Sequence, residues 1–431
     1  MIWRLPFFLV LCFPFLVLAQ EEFQYPPIPE METINEIRFE GNKTTRPEIF
    51  LQVMLLKIGE PANPDLIERS RQAIMDLGLY KSVTANLLQE DGRAVLLITV
   101  KEKYYILPVP KLNRDADNNF TLGAQLRMDN LAGLNQRLKL TYEREKVDTA
   151  DDLSKTSRLE YSYPRVRGTP YDIEFNVART HTPADSVVAG APEIYQAEVS
   201  TAGLGVNRWV QQDTPGVGWR AGSGLTWHKQ FYDVYAGTPQ DLKEGTAVAL
   251  TALVEHTHVH DYLYSRDGQV YGYSARFGAP FLGSDSDFTT HRFYLRGYYP
   301  VSNKPHRTVD MQVQLGLGSD QLFGPAYALG GSNTLRGYAS GSISGNAFFL
   351  VNVEYQTPFY DYYPLLGGVF MDIGNAYPSN SDLNFSDLKT SVGVSLRLKL
   401  RSFVKIELRV DYAYALETGE TKVYAGTKEP F

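Results

Sequence analysis

An arginine and two carboxylates in the C-terminal part of the chain are the residues best placed to do chemistry together. Arg336 lies in the segment Gly-Gly-Ser-Asn-Thr-Leu-Arg-Gly-Tyr (residues 330–338), and Glu354 and Asp372 follow in two runs of alternating apolar residues. Because arginine is always charged and presents a planar fork of donors, two carboxylates on neighbouring strands suit one guanidinium. We expect Arg336 to bind both acids, the alternative being three unrelated solvated charges.

Catalysis by the acid pair is the competing chemistry, but no nucleophile and no set of metal ligands accompanies it. We therefore predict that the protein is not an enzyme and that it uses no cofactor and no metal. His256, His258 and His260 alternate along one strand face at a spacing that could hold a metal, yet a polar patch at the barrel rim is the favoured interpretation. The single cysteine, Cys12, lies in the predicted signal peptide described below, whose cleavage would leave the mature chain without a thiol nucleophile.

The elements that must position these residues have the two-residue period of strands with one apolar face. In residues 391–400 the apolar side chains share one face and the polar side chains share the other. The same alternation recurs in three further segments, namely 137–143, 309–317 and 404–412. Within 349–355 and 369–373 the phase of the alternation places Glu354 and Asp372 on the polar face.

Candidate strands fill the chain after residue 103. They begin near Tyr104, Phe120, Asn135, Lys155, Tyr171, Ile194, Val217, Thr246, Val270, His291, Thr308, Ala347, Leu366, Thr390, Phe403 and Thr421. No apolar run after residue 19 approaches the roughly 18 residues of a membrane helix, and a sheet in lipid must close because every backbone polar group needs a partner. We predict an all-β transmembrane barrel of about 16 antiparallel strands over residues 104–431, surrounded by outer-membrane lipid. Its longest connection, the glycine-rich segment 318–346, should fold back as an inner loop.

The N-terminal part of the chain divides into three segments. Residues 1–19 carry Arg4 and an apolar run of about 14 residues, too short to cross a bilayer, so we predict a cleaved signal peptide. Residues 20–30 form a Pro-rich leader, and residues 31–103 predict a small α+β domain in the order strand, helix, helix, strand, strand. Loss of Arg4 leaves 41 of the 42 basic residues against 49 acidic residues, a balance that does not favour nucleic-acid binding.

Motifs in both parts of the chain carry a resemblance to known families. The Ile-x-Phe-x-Gly-Asn pattern at 37–42 and the Leu-Gly-Leu-Tyr pattern at 77–80 resemble the polypeptide-transport-associated (POTRA) domain. Three further motifs occur in order, namely Leu335-Arg336-Gly337-Tyr338, Phe349–Phe359 and Phe370–Tyr377. Together they resemble the BamA/TamA superfamily of outer-membrane assembly and transport barrels, of the bacterial surface antigen type, over nearly the whole mature chain.

This resemblance implies an outer-membrane barrel with a periplasmic domain that assists the insertion or assembly of other β-barrel proteins, or polypeptide translocation. It implies unfolded outer-membrane or secreted polypeptides as partners, with periplasmic chaperones or accessory lipoproteins as further candidates. It also implies that Leu335, Gly337 and Tyr338 form the loop motif around Arg336. The alternative function is a polypeptide-secretion pore of the two-partner type, or a passive channel. The chain departs from the best-known members, which carry several small domains ahead of the barrel.

The first and last predicted strands contain residues that weaken strand pairing. Pro108 and Pro110 lie in the first strand, and Gly426 and the terminal Phe431 lie in the last. Proline has no N–H, and residues two apart direct their backbone groups to the same neighbour, so both missing donors weaken one side of the strand. We expect that side to face the last strand and to form a seam that a client strand could enter. The alternative is that these prolines only mark the entry of a linker into the barrel.

Overall fold

The computed structural model describes residues 32–114, 120–146, 152–188, 191–214, 216–240, 242–359, 362–404 and 406–427. The predicted signal peptide (1–19), the predicted Pro-rich leader (20–30) and Phe431 lie outside these residues. Within the described ranges no helix is both long enough and apolar enough to cross a membrane.

The N-terminal domain has the predicted order of elements. These are β1 (Ile34–Glu40), α1 (Pro47–Leu51), α2 (Pro64–Asp76), β2 (Tyr80–Glu90) and β3 (Arg93–Glu102). The sheet order is β1-β3-β2, with β1 parallel and β2 antiparallel to β3. Asn63 caps α2, because its side chain accepts a hydrogen bond from the backbone N–H of Asp65. The helices pack their apolar faces on the sheet around the fully buried side chains of Phe50, Ile74 and Leu96.

Sixteen antiparallel strands form the barrel, which confirms the predicted fold class. They are β4 (Ile106–Arg114), β5 (Phe120–Leu131), β6 (Gln136–Lys146), β7 (Leu153–Tyr163), β8 (Tyr171–Val188), β9 (Ala191–Thr214), β10 (Val217–Ala236), β11 (Gly245–Tyr262), β12 (Ser265–Gly278), β13 (Phe288–Pro300), β14 (Thr308–Gly318), β17 (Ala347–Phe359), β18 (Tyr362–Tyr377), β19 (Lys389–Lys399), β20 (Glu407–Ala415) and β21 (Thr421–Gly426). Two short strands, β15 (Tyr327–Leu329) and β16 (Ile343–Gly345), form a hairpin inside the long connection between β14 and β17.

The strand start predicted near Phe403 falls four residues before β20, which begins at Glu407. The starts predicted near Val270 and Leu366 fall five and four residues after those of β12 and β18. Val404 lies in the turn before β20 and is 1% exposed, because it packs into the core of the N-terminal domain instead of facing lipid. Elsewhere the alternation separates the two barrel faces as predicted. In β19, Val394 and Leu396 are exposed on the outer surface, whereas Arg397 is buried inside.

The N-terminal domain seats directly against one end of the barrel. Thr45 does not cap α1; its hydroxyl donates to Glu102 at 2.6 Å and accepts from the Asn130 amide of β5 at 2.8 Å. On the other side of the mouth, Asp76 of α2 lies 2.8 Å from the His260 ring and accepts from a backbone N–H of β11. One histidine of the predicted rim patch therefore binds the N-terminal domain.

This arrangement predicts which connections reach the cell surface. The 301–307 connection lies at the same end as the N-terminal domain, whereas 279–287 lies at the opposite end. A cysteine at Asp285 should react with a membrane-impermeant maleimide in intact cells, and a cysteine at Ser302 should react only after the outer membrane is permeabilised. Labelling at Ser302 in intact cells would contradict the orientation. Asp115, the second position that we expect at the cell surface, lies outside the described residues.

Candidate functional site in the barrel lumen

The structure brings Arg336, Glu354 and Asp372 together inside the barrel. The Arg336 guanidinium donates to both Asp372 oxygens, at 2.7 and 2.8 Å, and to Glu354 at 2.9 Å. The backbone N–H of Arg336 donates to Asp372 as well, at 3.1 Å. Arg336 is 1% exposed and both carboxylates are fully buried. The neighbouring strands β17 and β18 hold the acids, so the loop that carries Arg336 is attached to the barrel wall.

A second arginine, Arg397 of β19, extends this group into a cluster that sequence reasoning did not assemble. It donates to both oxygens of Glu354, at 2.9 and 3.0 Å, and forms an ion pair with Asp411 of β20. Arg409 adds a third cation, 3.6 Å from Asp411. The three arginines balance Glu354, Asp372 and Asp411, which is the condition for keeping so many charges away from water.

The loop tip is shaped to deliver Arg336 into this cluster. The ring of Phe370 packs against the flat face of the guanidinium, with 3.3 Å between Cζ of Arg336 and the ring centroid. The edges of the guanidinium donate to the carboxylates, and its face contacts the aromatic ring. Leu335 is fully buried in a small apolar group with Phe348 and Leu350. Gly337 has φ +91°, and a Cβ there would stand only 3.2 Å from the backbone of Ala415, so this position requires glycine.

Tyr424 connects the loop tip to the last barrel strand, a contact that the sequence analysis missed. Its hydroxyl accepts from the Gly337 N–H at 2.9 Å and donates to the Tyr338 carbonyl at 3.2 Å. The Tyr338 hydroxyl in turn donates to Glu417, next to β21. The position of the last strand is therefore coupled to the loop through hydrogen bonds.

Replacement of Tyr424 by phenylalanine tests this coupling. Y424F should leave the buried Gly337 N–H without an acceptor, which costs about 1–3 kcal/mol in the unfolding free energy. We expect faster cleavage of residues 319–346 by an added protease, while the barrel still resists denaturation by detergent at room temperature. Tyr412 of β20 is exposed on the outer surface, so Y412F is a matched control that should change neither property.

The junction between β21 and β4 closes the barrel weakly. Among the described residues a single pair, Ala425 with Arg114, joins these strands. Six residue pairs join β20 to β21, and nine join β4 to β5. Because strand pairing is the main force that holds neighbouring strands together in lipid, the described part of this seam separates at lower cost than the junctions beside it.

The prolines of β4 face this weak junction. The carbonyl of Tyr105 accepts from the N–H of Asp129 at 2.7 Å, which directs the backbone groups of Tyr105 to β5. Backbone groups alternate between the two neighbours along a strand, so the backbone groups of Pro108 and Pro110 point to the same side of β4 as those of Arg114, which pairs with β21. Two donors are therefore missing from the seam side. Gly426 pairs with Arg409 and is the last residue of β21, so it lies at the end of the seam.

The architecture defines a class of protein, an outer-membrane barrel with a POTRA domain at its mouth and a long loop folded into its lumen. Residues 130–426 match the Omp85 superfamily domain, and residues 32–103 match the POTRA model described as a surface antigen variable number repeat. The chain belongs to the Omp85 superfamily. It is an outer-membrane protein whose POTRA domain lies in the periplasm.

Two curated relatives carry the name outer membrane protein assembly factor BamA. The one from Nitratidesulfovibrio vulgaris is 22% identical over 423 residues, covering 90% of this chain and 49% of the relative. The one from Neorickettsia risticii is 24% identical over 433 residues, covering 90% and 53%. The chain thus spans about half the length of the curated relatives it matches. Among solved structures, CdiB from Escherichia coli is similar in fold, with a TM-score of 0.67 at 14% identity over 92% of this chain and 76% of CdiB.

Proposed function

We propose that this protein assists the insertion of other β-barrel proteins into the outer membrane by pairing their strands with its own opened seam. Its clients are unfolded outer-membrane polypeptides. In this proposal residues 1–19 are a signal peptide, residues 20–30 a leader, residues 31–103 the periplasmic POTRA domain and residues 104–431 the barrel. The curated relatives named as assembly factors support this assignment, as does their coverage of nearly the whole chain.

The observation that carries the proposal is the single residue pair that joins β21 to β4 within the described ranges. Opening this junction exposes two strand edges whose N–H and C=O groups have no partner in lipid, where each unsatisfied group costs several kcal/mol. A client strand that pairs with such an edge removes this cost, which provides the driving force for its insertion. Closure of the client into its own barrel then returns the edges to each other. No cofactor and no chemical step enter this cycle.

The ion-pair cluster has the role of a lock in the same proposal. Arg336 holds the inner loop on β17 and β18, while Tyr424 holds the tip of that loop on β21. The loop therefore connects the fixed strands β17 and β18 to the last strand, and this connection holds β21 in its place beside β4. We infer that the loop keeps the seam closed until a client competes for the edge of β21.

Depletion of the protein in its host separates assembly from secretion. An assembly role predicts that many outer-membrane barrels fall in abundance together, with their unfolded forms in the periplasm. A two-partner secretion pore predicts instead that one or a few secreted polypeptides accumulate there while the other barrels stay at their normal levels. The second pattern would refute the assembly function.

A further inference from the structure

Three arginines on the wall of the lumen, remote in sequence from the ion-pair cluster, face the interior without carboxylate partners. Arg276 lies on β12, and Arg292 and Arg296 lie on β13. Within the described part of the chain no carboxylate oxygen lies within 4.0 Å of any of these guanidinium groups. Arg220 and Arg397, also in the lumen, are by contrast paired with acids at hydrogen-bonding distance.

The register of the sheet places Arg292 between the other two arginines on one luminal face. Arg276 pairs with Thr290, so it is the diagonal neighbour of Arg292, at a typical Cα separation of roughly 7–8 Å. Arg296 lies four residues further along the same face of β13, roughly 13 Å from Arg292 at about 3.3 Å per residue. Because arginine side chains are long, Arg292 and a neighbour on either side can reach one small ligand. Glu255, which faces the same region, is already held by Arg220 at 2.8 Å and by Tyr294 at 2.6 Å.

Neutral side chains orient these cations without neutralising them. The Gln314 carbonyl oxygen accepts from Nε of Arg292 at 2.7 Å and also from its Nη2, and Gln312 accepts from Arg296 at 3.2 Å. Both glutamines are buried, at 2% and 3% exposure for Gln312 and Gln314. Glutamate at either position would form an ion pair with the same geometry, so the amides leave the positive charge of the wall available to a ligand.

Two buried polar atoms in this region have no hydrogen-bond partner among the described residues. They are Nε of Arg276 and Nε2 of His228 on β10. His228 stacks on Phe323 of the long loop, with 4.5 Å between ring centroids, so the loop covers this part of the wall. A buried donor without an acceptor costs free energy, and a bound anion would remove that cost.

We propose that Arg276, Arg292 and Arg296 form a luminal binding site for a dianionic oxyanion, a phosphate group. Guanidinium forks match the oxygens of phosphate, and two negative charges offset most of the three positive charges. Arg292 is exposed to the lumen, so the anion has a path to it. Because the side chains face the lumen and not the lipid, a soluble phosphate has direct access, while a lipid headgroup must enter from the rim.

The test is calorimetric titration of the full-length protein in detergent with inorganic phosphate, at ionic strength matched with sodium chloride. We expect saturable binding of one phosphate for each barrel. R292Q should weaken binding about tenfold or more, because one charge-assisted contact is lost. Q314E should weaken it at least as much, since an internal carboxylate then occupies the guanidinium. R158Q is the matched control, because Arg158 lines a different cavity together with Glu160 and Glu174; its binding should equal that of the wild type.

A second arm identifies the source of the phosphate group. The melting temperature is measured in phosphatidylcholine nanodiscs with and without lipid A, and a rise seen with lipid A but not with inorganic phosphate assigns the group to a lipid headgroup. In either case Q314E must abolish the effect while its barrel remains folded by heat-modifiable gel mobility. If neither phosphate source binds, or if R158Q weakens binding as much as R292Q does, the proposed site is refuted.

Discussion

A disulfide that joins the first barrel strand to the last should abolish assembly activity while leaving the barrel intact. Arg114 and Ala425 are directly opposite each other, so cysteines at these positions have the Cα separation that a disulfide accepts. Because the only natural cysteine is Cys12, in the predicted signal peptide, the engineered pair has no competitor in the mature chain. With the seam closed covalently, no edge is available to a client, and we expect activity to fall to the level of an empty-vector control.

The matched control is a disulfide across a fully paired junction, at Leu140 of β6 and Leu159 of β7. It adds the same bond to the barrel without touching the seam and should leave activity unchanged. Reductant should restore activity to the seam variant, and each single cysteine should be active throughout. If the oxidised seam variant, verified as cross-linked by gel mobility, still supports full assembly of other barrels in cells, the lateral seam is not the site of client pairing.

Part of the seam could be predicted from the sequence and part could not. Proline lacks a donor whatever the fold, so Pro108 and Pro110 predict a weak strand side from composition alone. Which neighbour faces that side depends on the phase of the backbone hydrogen bonds, and this follows from the contact between Tyr105 and Asp129. The short length of β21 was not predictable, because strand ends depend on the pairing partner and not on the residues of the strand itself.

The ion-pair cluster was predictable only in part for a related reason. Alternation places Glu354 and Asp372 on the polar face, and their strands are consecutive, so a shared cation follows from local pattern. Arg397 also falls on a polar face, but its contact with Glu354 spans three strands and depends on the register of both junctions. Tyr424 belongs to a strand of six residues, too short for its alternation to separate a luminal face from a lipid face.

The burial of the ion-pair cluster sets the free-energy cost of removing Arg336. A water-filled lumen would screen the charges and reduce the cost of removing Arg336 to about 1–2 kcal/mol. The structure instead buries Arg336, Glu354 and Asp372 almost completely, so that screening does not apply. The larger cost of about 3–5 kcal/mol, typical of a buried charge left without its partner, is the expected value.

Arg336→Ala should therefore lower the unfolding free energy by about 3–5 kcal/mol and release the inner loop without unfolding the barrel. Asp372 loses the two hydrogen bonds from the guanidinium and keeps only the one from the backbone N–H of residue 336, whereas Glu354 keeps its contacts with Arg397. Arg336→Lys keeps the charge but not the planar fork of donors, so its unfolding free energy should lie between those of the wild type and the alanine variant. The measurements are the urea midpoint, protease cleavage within 319–346 and client assembly in cells.

A paired variant separates the charge of the lock from its geometry. Arg336→Met with Asp372→Asn removes one cation and one anion together, so most of the lost stability should return, since no uncompensated charge stays buried. Its loop nevertheless lacks the guanidinium that joins β17 to β18, and client assembly should stay impaired. Arg158→Ala, on the other wall of the lumen, is the control for loss of a luminal arginine.

An Arg336→Ala protein with wild-type urea midpoint and full activity would show that the buried cluster neither stabilises the loop nor serves assembly. Restored stability without restored activity would instead show that assembly requires the position of the loop and not merely the stability of the barrel.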